Sequence, residues 1–259
     1  MKILVCIKQV PDLESRFRIN SEGIWFSETD LAWRMNEYDE YAVEQAVQLK
    51  EQLAGTPELT VLSIGPDRVK EAIKKALAMG CDRGIHVKDD ADYRLDPFEV
   101  AAVIAEYARG QQFDVLFTGF QSQDRGSAQV GVLIAELLGM PSVTTVVGFE
   151  FADGVITARR ELEGGVKAVV KTATPALVTC QLGLNTPRYP TLPNIMKAKK
   201  KELQTVAVTD LLKVQPLQDV EAIFPPEKKG VGTILEGDPG ELADKLIGLL
   251  KEKAGVLRS

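Results

Sequence analysis

The chain has 259 residues, 45% of them hydrophobic and 26% charged, the composition of an ordinary folded protein and not of a disordered one. Its 31 basic and 37 acidic side chains leave a net charge of −6, which argues against a nucleic-acid-binding surface. No apolar run approaches the roughly eighteen residues of a membrane span, and Met1-Lys2 leads directly into a strand-like run, so neither membrane insertion nor a secretory leader is expected. Cys6, Cys81 and Cys180 are scattered and lack a CxxC pair, which points to a reducing compartment such as a cytoplasm, a prokaryotic one first.

Ile3–Val10 reads as a strand buried on both faces, and Asp39–Leu53 as a helix with Tyr41, Ala42, Gln45, Ala46 and Leu49 near one face. Leu59–Ile64 is a second strand, stopped by Gly65-Pro66. The helix Asp67–Met79 opens on a capping Asp and closes at Gly80 in the left-handed conformation. Arg83–Val87 reads as a strand, Pro97 to about Ala108 as a helix, Phe113–Thr118 as a strand and Ser127–Leu138 as a helix. Four successive strand–helix pairs predict an α/β fold with a mostly parallel open sheet, covered by helices on both faces.

The pattern then changes. Ser142–Phe151, Val155–Leu162, Val166–Thr172 and Ala176–Cys180 are separated by short turns such as Asp153-Gly154 and Gly164-Gly165, which predict an antiparallel extension. Between Gly183 and Lys201 periodicity disappears. A linker follows through Pro216, Pro225 and Pro226, and then a final helix, about Pro239–Lys253, detached from the core. The expected division is an α/β nucleotide-binding domain over 1–201, including a loop at 185–201, and a linker with a C-terminal helical arm over 202–259.

Ligands of open α/β sheets gather at the carboxyl ends of strands. The most suggestive such end is the turn Gly119–Gly131. Its small residues let backbone N–H groups approach an anion at a helix start; Gly126, Ser127 and Gln129 are candidate phosphate donors and Arg125 a candidate counter-charge. An ordinary polar turn fits the same residues. GxxxxGK[ST] and GxGxxG are both absent, which argues against a hydrolysing ATPase. His86 is the only histidine and falls inside a predicted strand, so its expected role is structural and neither a His-centred triad nor a transition-metal site is expected. The second informative segment, Asn185–Lys201, carries stiffening prolines, the apolar Leu192, Ile195 and Met196, and a lysine cluster. That combination suits docking to an acidic partner, or else lysines solvating a helix start.

Taken together, Val5-Cys6-Ile7-Lys8, Met35–Glu40 with Ala42-Val43-Glu44, Ala76–Ile85, the Gly119–Gly131 turn and Asn185–Lys201 resemble the electron transfer flavoprotein β-subunit family over nearly the whole chain. The resemblance implies a heterodimer with an α subunit that holds most of the FAD site. It implies an AMP site in the β subunit at Cys6, Asn36, Glu37, Tyr38, Asp39, Ile64 and Gly65. The rest of that site would come from Gln121, Ser122, Gln123, Asp124, Arg125, Gly126, Ser127, Ala128, Gln129, Val130, Gly131 and Val132. Leu13 and Tyr38 match positions near the α-subunit flavin. Leu192 matches the anchor of a recognition loop for acyl-CoA dehydrogenases, with Pro193, Ile195, Met196, Lys197, Lys199 and Lys200 around it; Lys197 and Lys200 match lysines methylated in some relatives. The implied activity is that of an electron carrier and not a stand-alone catalyst, serving fatty acid oxidation, with electron transfer flavoprotein–quinone oxidoreductase downstream. Some relatives bind a second FAD in place of AMP and bifurcate electrons. They carry Asp-Gly-Asp-Thr where this chain has Asp124-Arg125-Gly126-Ser127, and Asp39 resembles that type. A nucleotide-binding module without redox partners is the remaining alternative.

Overall fold

The computed structural model describes residues 1–29, 31–226 and 232–254. The chain forms two compact units, 1–223 and 224–259.

The first unit begins with β1 (Lys2–Cys6), β2 (Gln9–Pro11), β3 (Trp33–Met35), α1 (Glu37–Gln52), β4 (Glu58–Gly65), α2 (Lys70–Met79), β5 (Arg83–Lys88), α3 (Pro97–Ala108), β6 (Val115–Gly119) and α4 (Val130–Leu138). It continues through β7 (Ser142–Ala152), β8 (Val155–Glu161), β9 (Lys167–Ala173), β10 (Ala176–Cys180), α5 (Leu192–Ala198), β11 (Leu203–Ala207) and α6 (Val208–Leu211). A nine-stranded sheet runs in the order β11-β5-β4-β1-β6-β10-β7-β8-β9, and β2 pairs antiparallel with β3 beside it. Every pair in the large sheet is parallel except β7–β8 and β8–β9.

Alternation along the central strands divides the core. Ile3, Val5, Val61 and Phe117 pack with α1 and α2, whereas Leu4, Leu62 and Leu116 face Ile104 of α3 and Ile134 of α4. Both faces of these strands are therefore buried, which is why they read as continuous apolar runs.

Several local expectations need correction. The Ile3–Val10 run is two strands, because the Lys8 N–H leaves the ladder and donates to the Asp39 carboxylate at 2.7 Å. Helix α1 starts at Glu37, two positions before the expected start, after Asn36. Asp67 is not an N-cap; it lies in a 3₁₀ turn, Asp67–Val69, and accepts from Lys70 Nζ at 2.6 Å. Gly80 has φ +146°, away from the left-handed helical region, and a Cβ there would stand 2.8 Å from Val47 Cγ1, so α1 packs against a position that admits no side chain. Helix α4 starts at Val130 and not at Ser127.

The antiparallel extension is β7-β8-β9, with the Asp153-Gly154 turn at φ +50° and +76°. Ala176–Cys180 does not join it: β10 returns between β6 and β7 and is parallel to both. Its five residues are all buried, the mark of a central strand. In the aperiodic stretch, Leu192–Ala198 forms a short helix capped by Thr191, whose side chain accepts from the Asn194 N–H. Beyond residue 201, where the sequence suggested a linker, Leu203–Ala207 adds an edge strand to β5, and the first unit runs on to Ile223. In the second unit, α7 (Pro239–Leu249) is capped by Asp238, which accepts from the N–H groups of Gly240 and Glu241, and continues into a π-helical turn over Leu250–Ala254. Residues 227–231 and 255–259 of the expected arm lie outside the described residues. Among the described residues, no helix is long and apolar enough to cross a membrane.

Candidate functional site

The chain moves outward on one side of β1, through β4 to β5, and then crosses to β6 on the other side. The connections that leave the carboxyl ends of the paired strands β1 and β6 therefore run to opposite sides at this switch point of the sheet, and a cleft opens there. Out to its open mouth, solvent space included, it spans roughly 900 Å³.

Asp39 holds the two strand ends together. Its carboxylate accepts from the Lys8 N–H at 2.7 Å and from the Gly119 N–H at 3.0 Å. The side chain is buried, and burial pushes its pKa up to about 7 against those two bonds, Asn36 and the Lys8 charge. Gly119 has no room for a Cβ, which would stand 2.2 Å from Asp39 Oδ1.

The start of α1 also shapes the turn after β6. Asn36 Nδ2 donates to the Gln121 carbonyl at 2.9 Å, and Asn36 Oδ1 accepts from the Gln123 N–H at 3.0 Å. Gln121 Nε2 donates to the Tyr38 hydroxyl, and Gln123 Nε2 to Glu37. Asn36, at 1% exposure, thus satisfies the turn in both directions. Gly126 and Ala128 adopt φ of +62° and +54°, and the first bond of α4 runs from Leu133 to Gln129. The amides of Val130, Gly131 and Val132 precede that bond and mark a helix N-terminus at the cleft, an arrangement suited to an anion. Gly131 is packed too closely for a side chain: a Cβ would lie 2.7 Å from Thr179 Cγ2.

The cleft wall combines Cys6, Asn36, Asp39, Ile64, Gln121, Ser122 and Arg125 with Ser127–Gly131. Glu37 and Tyr38 accept from Gln123 and Gln121 of the turn from behind, and Gly65, Gln123, Gly126 and Val132 adjoin residues of the wall without lining it. Sequence reading missed the apolar wall of Leu95, Pro97, Val100 and Ile104, which comes from α3 and the residues before it. Its available signal was the Asp96-Pro97 helix start, where a full capping box fixes the first turn.

Lys8, two residues past β1, was not singled out either, although it lies in the segment that leaves that strand end. Its ammonium pairs with Asp124 Oδ2 at 2.5 Å, while Asp124 Oδ1 is buried without a hydrogen-bond partner. Burial opposes ionisation of Asp124, but Lys8 and Ser122 outweigh it and hold the carboxyl below its usual range. Arg125 turns away from the helix start: its guanidinium donates to the carbonyls of Tyr93 and Leu95 and lies 4.9 Å from the centre of the Trp25 ring. His86 is fully buried, with Nε2 2.8 Å from the Gly65 carbonyl, a structural setting. Burial also raises the pKa of the Cys6 thiol, so it is no ready nucleophile. Among the described residues no carboxylate, Cys and His cluster has the makings of a metal site.

Away from the cleft, α5 presents Leu192 at 78% and Met196 at 59% exposure, with Ile195 and Pro193, Lys197, Lys199 and Lys200 exposed around them. Leu13 stands exposed in the long connection between β2 and β3.

Residues 23–211 match the electron transfer flavoprotein domain. The chain is 39% identical to the electron transfer flavoprotein subunit beta of Bacillus subtilis, over 99% of this chain and 100% of that one. The corresponding proteins of Methylophilus methylotrophus and Mus musculus are 36% and 35% identical, with 99% and 97% of this chain covered and 100% and 97% of theirs.

Proposed function

The chain belongs to the electron transfer flavoprotein family as a β subunit, and from that premise we propose that it pairs with an α subunit to carry electrons from acyl-CoA dehydrogenases to electron transfer flavoprotein–quinone oxidoreductase. FAD, held mainly by the α subunit with Leu13 and Tyr38 of this chain near its ring, supplies the electron chemistry when bound. The C-terminal arm, with α7, clasps the α subunit.

In this reading the β-subunit cleft holds AMP. Its two halves match the two halves of that molecule: α3 and Ile64 offer an apolar wall for the base, and the amides that open α4 receive the phosphate, with Ser127 and Gln129 beside them. Asn36, Tyr38 and Asp39 keep that turn in shape, so the nucleotide acts as an internal brace and not as a reactant.

The observation that favours a mononucleotide over a dinucleotide is the crowding of charged and aromatic side chains beside Lys8 and Arg125, which line both the cleft and a second, small cavity. Lys8 and Asp124 form an ion pair, and Arg125 lies against Trp25, itself stacked with Tyr93 and packed at a tilt against Phe26. In this reading a second FAD, longer than AMP, would have to displace these groups. A carrier needs no general acid or base; it needs a cofactor near a surface and a fast, weak contact, which exposed Leu192 among lysines provides.

The deciding experiment is the nucleotide content of the purified αβ complex after denaturation. One FAD and one AMP per heterodimer is the expected result. Two FADs without AMP overturn the carrier reading in favour of bifurcation, and a stable nucleotide-loaded monomer with no affinity for α overturns the redox reading altogether.

A further inference from the structure

Helix α5 has little of its own to hold it in place. Of its seven residues only Ala198 is buried, while Leu192 and Met196 face solvent. A helix this short is not stable from its own hydrogen bonds, so it depends on its packing against α2 and on what holds its ends.

The structure shows how. Before the helix, Arg188 Nε and Nη2 donate to the two oxygens of Glu44 at 2.8 and 3.0 Å, and Nη1 and Nη2 donate to the two oxygens of Glu51 at 2.6 and 3.0 Å. Its backbone N–H also donates to Glu44, at 3.1 Å. Glu44 and Glu51 lie two turns apart on α1, and the Glu44 side chain is only 4% exposed. After the helix, Lys201 Nζ donates to the Leu77 and Cys81 carbonyls at the end of α2, at 2.9 and 2.5 Å.

A guanidinium forked onto two carboxylates fixes direction as well as distance, which an ammonium cannot do. We propose that Arg188, held by Glu44 and Glu51, is the positioning residue of the docking helix: it sets the angle at which Leu192 is presented and so governs partner recognition without touching the partner. This rests on the reading of α5 as the dehydrogenase-docking element.

The test compares Arg188→Lys, Glu51→Gln and Leu192→Ala in the intact αβ complex, with an acyl-CoA dehydrogenase as electron donor. Arg188→Lys keeps the charge and loses the fork. It is expected to raise the KM for the dehydrogenase about tenfold at unchanged kcat and unchanged salt dependence, and to speed amide exchange over 190–198 about tenfold. Nucleotide content should not change. Glu51→Gln, at a side chain already 55% exposed, should give the same changes at smaller size and covers the case in which the Arg188 variant does not fold. Wild-type KM and exchange in Glu51→Gln, and in Arg188→Lys if it folds, overturn the proposal while leaving docking through Leu192 intact. If Leu192→Ala has no effect on KM, the docking reading fails instead, and the exchange rates alone then decide whether Arg188 positions α5.

Discussion

The cleft and the exposed helix α5 solve opposite problems with the same kinds of side chain. At the cleft, a buried carboxylate and a buried amide, Asp39 and Asn36, are consumed by backbone groups of the strand ends and the turn, so the shape exists before any ligand arrives. At α5, apolar side chains are left in water and the polar groups are concentrated at the base, where Arg188 and Lys201 tie down the ends. Satisfied interior hydrogen bonds suit long retention, because every bond has to break for the site to deform. An exposed anchor on a clamped mount suits contact that forms and dissolves quickly.

The largest effect is expected at Asp39, on the cleft side. Its pKa near 7 lies far above that of an unfolded Asp, so between about pH 4 and 7 the folded state holds a proton that the unfolded state has released. Stability therefore falls as pH rises through that window and levels off above it, by up to a few kcal/mol. Urea midpoints of the complex measured across the window should show the slope in the wild type and lose it in Asp39→Asn. A slope that survives the substitution assigns it to another group.

Gly119→Ala should come next in size. Its new methyl meets Asp39 Oδ1 and Tyr38 Cβ, so the carboxylate has to move off the strand ends. The expected cost is roughly 1–3 kcal/mol with loss of bound nucleotide. Retention of a full nucleotide complement at normal stability would show that the cleft is not built around that contact.

On the docking side, Leu192→Ala should slow reduction by the dehydrogenase at limiting partner about tenfold, the scale of an anchor residue, with flavin and AMP content unchanged. A parallel loss of nucleotide would mean that the two regions are not independent. The smallest effect is expected from Lys199→Glu with Lys200→Glu: association weakened a few-fold and its salt dependence flattened, measured by stopped-flow at several ionic strengths. An undiminished salt slope would remove steering from the role of this patch.

What was legible in the chain, and what was not, follows from the range of each interaction. Pro97 to about Ala108 was readable because an N-terminal proline is a local signal, one that the Asp96 capping box reinforces in the structure. The parallel strands were readable because burial on both faces leaves an uninterrupted apolar run. By contrast, Leu203–Ala207 is a half-exposed edge strand whose pairing with β5 lies far away in sequence, and nothing within it announces that partner. Ala176–Cys180 was legible as a strand but not as a neighbour of β6, since short turns suggest hairpins and only the sheet decides order.

The site divides in the same way. The turn Gly119–Gly131 stood out because small residues between a strand and a helix are a local pattern, and the docking segment because apolar residues among lysines and prolines are one too. That Lys8 pairs with Asp124, that Arg125 turns from the helix start toward Tyr93 and Leu95, and that Arg188 reaches Glu44 and Glu51 were not legible. The sequence by itself determined the α/β class, the family and the segments proposed for function, because short-range periodicity and motif identity encode them. Only the tertiary structure decided which charges meet, since ion pairs and forked hydrogen bonds depend on distances between residues brought together by the sheet and by no feature of the chain between them.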